Sequence, residues 1–173
     1  AARFRFEFPE TKEMSDFART QTDVDTNNID ETLVRWLDRE YELFRALEKR
    51  SIEKKLELGF EDVDDFLSYS LSATQRRRDR MGLALENHLE ELFKIQGLLY
   101  SRGMRTEGRS KPDFIFPGEP HYHNKEIAEA SLDMLGVKST CKDRWRQILN
   151  EAARIPKKHL CTLQLGISEH QTD

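Results

Sequence analysis

Cysteine is scarce: Cys141 and Cys161 are the only two. Two thiols make no disulfide framework, so a reduced, intracellular setting is expected. Neither is spaced from His121 or His123 as a zinc motif requires. No run of 18 apolar residues occurs, which excludes an apolar membrane-spanning helix, and there is no signal-peptide pattern. No nucleophile motif of a hydrolase triad is present, and neither an internal repeat nor a low-complexity segment is found. Nor is there an overall excess of positive charge, since the net charge is -4.

That last deficit is misleading, because the charge is unevenly spread. Residues 1–75 carry 11 Lys/Arg against 18 Asp/Glu, whereas residues 76–173 carry 17 against 14. Residues 138–158 alone hold seven cations and two anions. An acidic half beside a locally basic one suits a specific nucleic-acid footprint better than general coating. Apolar residues make up 37% and charged residues 35% of 173 positions, and the apolar ones are periodic, so one domain with a real core is expected.

The chain divides into an irregular N-terminal segment over 1–28, a helical subregion over 30–75 and a core over 79–166. In the first, Phe4, Phe6 and Phe8 alternate with charges up to Pro9, and the remainder reads as loop. Leu33, Trp36, Leu37, Tyr41, Phe44, Leu47 and Ile52 keep helical spacing from Asp30 to Leu58, with Asn28 or Asp30 as cap and Gly59 as stop. Trp36, Tyr41 and Phe44 are candidates for core or for a subunit interface. Phe60 to Ser72 predicts a shorter helix with Val63, Phe66 and Leu67 inward. Arg76, Arg77, Arg78 and Arg80 follow as a cationic cluster, readable as a solvated turn or as phosphate contacts. A helix from Asp79 to Gln96, carrying Glu86, is closed by Gly97.

From Leu98 the period becomes extended. Strands are expected at Leu98–Tyr100 with Met104–Thr106, at Asp113–Phe116, at Gly136–Lys138 and at Leu160–Leu165. A loop is expected at His121–Asn124, a short helix at Glu126–Leu135, and a helix from Ser139 or Thr140 to Arg154. The result is an α/β protein, a central mixed β-sheet flanked by helices.

Three residues in this framework carry chemistry that phosphodiester hydrolysis needs. Asp113 stands at the head of an apolar strand behind Pro112, a position from which a carboxylate can hold a hard cation such as Mg2+. Lys138 closes a neighbouring strand, from which an ammonium can polarise a water. Glu151 lies at the edge of the apolar face of the following helix, with Arg154 or Gln147 as ordinary pairing partners. Each alone is a common surface feature; their order and spacing together suggest a metal-dependent nuclease.

Leu85–Glu90, Lys111–Gly118 and above all Leu135–Ala152 resemble the catalytic domain of EcoRII-type restriction endonucleases, including the PspGI group. The likeness runs from about Asp30 to Gly166. It implies a PD-(D/E)xK restriction-endonuclease-like fold and a type II site-specific deoxyribonuclease that needs Mg2+. The usual motif has an acid two residues before the lysine; here that position is Gly136, and the family moves the carboxylate to the position of Glu151. The resemblance makes Asp113, Glu151 and Glu86 metal-binding acids, Lys138 the catalytic lysine and Tyr122 an active-site tyrosine. Lys142, Asp143 and Arg144 match the base-reading triplet for the GG/CC pairs of CCWGG. Lys and Arg donate to guanine O6 and N7, and Asp accepts from cytosine N4. Arg146 joins Arg76, Arg77, Arg78 and Arg80 as an expected backbone contact. The implied partner is double-stranded DNA, bound by a homodimer, with a monomeric cutter as the alternative. The implied setting is the prokaryotic cytoplasm, with room for an upstream effector domain in the full-length protein. The competing readings are a catalytically silent DNA-binding module and a repair or junction nuclease of the same fold.

Overall fold

The computed structural model describes residues 8–140 and 145–164, without the side chain of Trp145. The chain forms two compact units, Ala1–Leu92 and Phe93–Asp173.

The first unit is helical. Helix α1 spans Thr11–Arg19 and buries Met14, Ser15 and Ala18. The expected loop is therefore a helix here. Met14, Phe17 and Ala18 keep an i, i+3, i+4 spacing that the surrounding polar residues conceal. Helix α2, Ile29–Leu58, starts where Asn28 accepts from the Glu31 N–H and stops at Gly59, whose φ of 79° suits glycine. Its buried row is Thr32, Trp36, Glu40, Phe44 and Glu48, one residue every four. Trp36 and Phe44 are core, while Tyr41 is 51% exposed.

Helix α3 runs unbroken over Val63–Ile95. The expected short helix, arginine-rich turn and following helix are thus one element. No proline interrupts it, and Asp62 caps its start by accepting from the Asp65 N–H. Val63, Phe66 and Leu67 are exposed rather than inward; in α3 the core residues begin at Ala84.

Two buried glutamates tie this unit together, and each is matched by cations or by histidine. Glu48 accepts from Arg77 Nε at 3.1 Å and Nη2 at 2.7 Å, and from Arg45 at 2.5 Å. Glu40 Oε2 lies 2.9 Å from Nε2 of the fully buried His88, close in distance but off the line of a hydrogen bond. Arg19 Nη1 stands 3.0 Å from His88 Nδ1. A guanidinium only donates, so Nδ1 accepts and the ring proton sits on Nε2, facing Glu40.

The second unit is built on a four-stranded sheet in the order β1-β2-β3-β4. The strands are β1 (Ser101–Arg102), β2 (Phe114–Phe116), β3 (Asp133–Lys138) and β4 (Lys158–Thr162). The first two pairings are antiparallel and β3 pairs with β4 in parallel, which makes the sheet mixed as expected. Local differences remain. Leu98–Tyr100 are not strand, and Tyr100 instead packs with Phe93, Phe114 and Phe116. His121–Asn124 falls largely in helix α4, Glu119–His123. The expected helix over Glu126–Leu135 is only a 3-10 turn, Glu129–Ser131, because Asp133 already enters β3. Helix α5 spans Trp145–Leu149 and ends before Arg154. The core gathers Met104, Ile115, Tyr122, Leu132, Met134, Ile148, Ala152 and Ile155. No helix among the described residues is long and apolar enough to cross a membrane.

Candidate active site

The antiparallel register of β2 on β3 pairs Phe114 with Leu135, so Asp113, one residue ahead of β2, comes level with the end of β3. Its Oδ2 accepts from the Val137 N–H at 2.6 Å and from Lys138 Nζ at 2.7 Å. Both bonds are charge-assisted and fall on one oxygen. The Asp113 and Lys138 side chains are only 15% and 16% exposed, so the pair is screened from solvent yet reachable.

Glu151 approaches the same place from α5. It lies in a bend just past the helix, not inside a longer one as expected. Ile148, 3% exposed, packs on Gly136 of β3 and anchors this stretch. Glu151 Oε2 is buried and has no hydrogen-bond partner. Burial pushes its carboxyl above the ordinary value of 4.5; Lys138 and Lys158 pull it down and Asp113 pushes it up. Arg154 does not pair with it. Its guanidinium donates to the carbonyls of His121, Tyr122, Asn124 and Ile127.

Two carboxylates and a lysine therefore converge, and one carboxylate oxygen is buried without a donor. Such an oxygen calls for a proton or a cation. Mg2+ takes one or two carboxylates and completes its shell with water and phosphate oxygens, so Asp113 and Glu151 fit it. No cluster of three or more His, Cys, Asp or Glu converges among the described residues.

Tyr122 is 2% exposed and packs in the core. Its hydroxyl donates to Glu107 Oε2 at 2.5 Å and accepts from the Arg154 N–H. Burial, then Glu107, raise the Tyr122 hydroxyl above its ordinary value of 10. Partial burial pushes Glu107 up, but the Tyr122 hydroxyl and the N–H groups of Glu107 and Ala153 outweigh it and hold the carboxyl low. Sequence reasoning missed Glu107, a loop glutamate with no local signal.

Glu86 is half-buried in α3 of the first unit, next to buried Leu85 and Asn87. Arg77 is committed to Glu48. Arg76 lies 4.4 Å from the centre of the Phe8 ring, and Arg80 stacks on Phe8 and Phe44 and donates to the Pro9 carbonyl. Arg78 is exposed in α3 and Arg146 in α5. Lys142, Asp143 and Arg144 fall outside the described residues.

The four-stranded mixed sheet with its helices is the fold of the restriction endonucleases. Two solved structures share the fold. A PspGI–substrate DNA complex superimposes with a TM-score of 0.75 at 18% identity, covering 95% of this chain and 71% of that one. Metal-depleted Ecl18kI with uncleaved, modified DNA gives 0.74 at 19% identity, covering 94% and 64%. The model of the EcoRII C-terminal family matches residues 44–173, and the chain belongs to that family. The type II restriction enzyme EcoRII of Escherichia coli is 42% identical over 162 residues, which are 93% of this chain. The match spans 40% of EcoRII's own length.

Proposed function

We propose that the chain is a Mg2+-dependent, sequence-specific endonuclease of double-stranded DNA that cuts at CCWGG. The observation that carries the reading is the convergence of Asp113, Lys138 and Glu151, with one Glu151 oxygen buried and unpartnered. Family membership supports it.

Asp113 and Glu151 would hold the cation, with Glu86 as a further acid and Tyr122 as the site's tyrosine. The bound ion supplies charge neutralisation at the phosphate and a more acidic water. Lys138 keeps one donor on Asp113 and has two others, which can face an attacking water and a phosphate oxygen. Lys142, Asp143 and Arg144 read the GG/CC pairs from the major groove. Among the arginines, Arg78 and Arg146 are exposed and would contact the backbone, while Arg77 is held by Glu48. A pseudo-palindromic target has two half-sites, so a homodimer would read one half and cut one strand per protomer.

The test is incubation of a CCWGG duplex, and of a duplex altered at one G·C pair, in Mg2+ and in EDTA. Cleavage of the first alone, and only in Mg2+, is expected. Binding without cleavage would mark a silent DNA-binding module. A preference for branched DNA would mark a junction nuclease. Either outcome overturns the reading.

A further inference from the structure

The chain leaves α5 through a strained turn. Ala152, which is not glycine, has φ 46°. The left-handed region is unfavourable for a residue with a Cβ, and such a conformation persists only when its surroundings enforce it. The turn sits directly behind Glu151, so whatever enforces it also aims the Glu151 carboxylate.

Three groups surround the turn. Ala152 and Ile155 are each 1% exposed, which seats the turn in the core. The Ala153 N–H is accepted by Glu107, and the Arg154 N–H by the Tyr122 hydroxyl, which itself donates to Glu107. The Arg154 guanidinium reaches the carbonyls of His121, Tyr122, Asn124 and Ile127. The turn thus holds the α4 segment through a side chain, and that segment and Glu107 hold the turn's backbone.

We infer that Glu107 and Arg154 are positioning residues for Glu151: they clamp the left-handed turn at Ala152 so that the Glu151 carboxylate faces Asp113 and Lys138. The inference rests on the reading of Asp113 and Glu151 as the cation site. Glu107 touches neither phosphate nor cation in this arrangement; it acts through the backbone of residue 153, with Tyr122 as the link.

Binding of Mn2+, followed by calorimetry on the intact chain without DNA, tests this apart from cleavage. Glu107→Ala and Arg154→Lys should each weaken Mn2+ binding about tenfold, the size typical of groups that orient metal ligands. Binding of the CCWGG duplex in EDTA should not change. Ala152→Gly in the Glu107→Ala background should restore part of the loss, because glycine adopts the left-handed turn without a clamp. If Glu107→Ala does not fold, Glu107→Gln replaces it: it keeps an acceptor for the Ala153 N–H and should lose less. Mn2+ affinity unchanged in folded Glu107 and Arg154 variants, while Glu151→Gln weakens it, overturns the inference and leaves the cation site standing. Affinity unchanged in Glu151→Gln as well overturns the cation site itself.

Discussion

Ile148 occupies the volume that a side chain at position 136 would need. A Cβ on Gly136 would stand 2.5 Å from Ile148 Cδ1, 2.8 Å from Cγ1 and 3.3 Å from Cγ2. The acid that the ordinary motif places two residues before the lysine is therefore barred by packing. The same contact seats α5 on β3 and delivers Glu151 three residues later.

Gly136→Ala should lower stability by about 1–3 kcal/mol, the cost of forcing atoms into a packed core. Ile148→Ala in the same chain should recover part of that cost, so the two changes should not be additive in urea unfolding. Additive losses would show that Ile148 is not the obstacle.

Lys138→Met keeps most of the side-chain bulk and removes the ammonium. Cleavage of CCWGG DNA in Mg2+ should fall about a hundredfold or more, as for loss of a donor to developing charge. Duplex binding in Ca2+ should persist, since the proposed base-reading triplet is untouched. A gel-shift assay beside the cleavage assay separates the two effects.

The pH behaviour follows from Glu151. Burial raises its carboxyl above 4.5 in the folded chain. The folded state therefore holds this proton more tightly than the unfolded state does. The stability it contributes is fully present below 4.5 and is lost as pH rises through the raised value. In EDTA, Glu151→Gln should then be more stable than the unmodified chain at neutral pH, with the gap closing toward pH 4. Lys138→Met should move the Glu151 titration further up, because Lys138 pulls it down. Urea unfolding across pH 4–8 reads both effects.

Much of this was legible in the sequence, for reasons that differ by residue. Asn28 and Gly59 bracket α2 because a cap and a left-handed stop are local chemistry. Asp113 and Lys138 were legible because each sits at the boundary of an apolar strand. The unity of α3 was not, since its first half exposes Val63, Phe66, Leu67 and Leu71 and its arginines break the apolar period. Three of those arginines serve Glu48 (Arg77) or Phe8 (Arg76 and Arg80), partners in or before α2 that no local pattern reveals. Glu151 was placed in a long helix because the apolar spacing continues through Ala152; the turn at Ala152 is set by tertiary contacts. Glu107 left no trace, because its partners lie 15 and 46 residues away (Tyr122 and Ala153).

Arg144→Ala should weaken CCWGG binding by about 1–3 kcal/mol, the worth of a good bidentate base contact. Mn2+ binding at Asp113 and Glu151 should stay the same. Normal cleavage of the target by this variant would remove Arg144 from the reader.

In the helical unit, Glu40→Ala leaves the buried His88 ring without its acidic neighbour. A loss of about 1–3 kcal/mol in urea unfolding is expected, the cost of leaving the buried Nε2–H with no acceptor nearby. Glu40→Gln should cost less than half as much. Equal losses would mean that the carboxylate charge, not volume or a neutral acceptor, matters there.

Helix α5 is five residues long, and in the chain it separates the proposed base reader from Glu151. One residue added or removed inside it would turn Glu151 by about 100° and shift it by about 1.5 Å relative to the triplet. Substitutions there can be absorbed one at a time; insertions and deletions cannot. On the proposed reading the length of this short helix couples recognition to scission, so relatives should keep that length and Ile148 while varying the exposed letters.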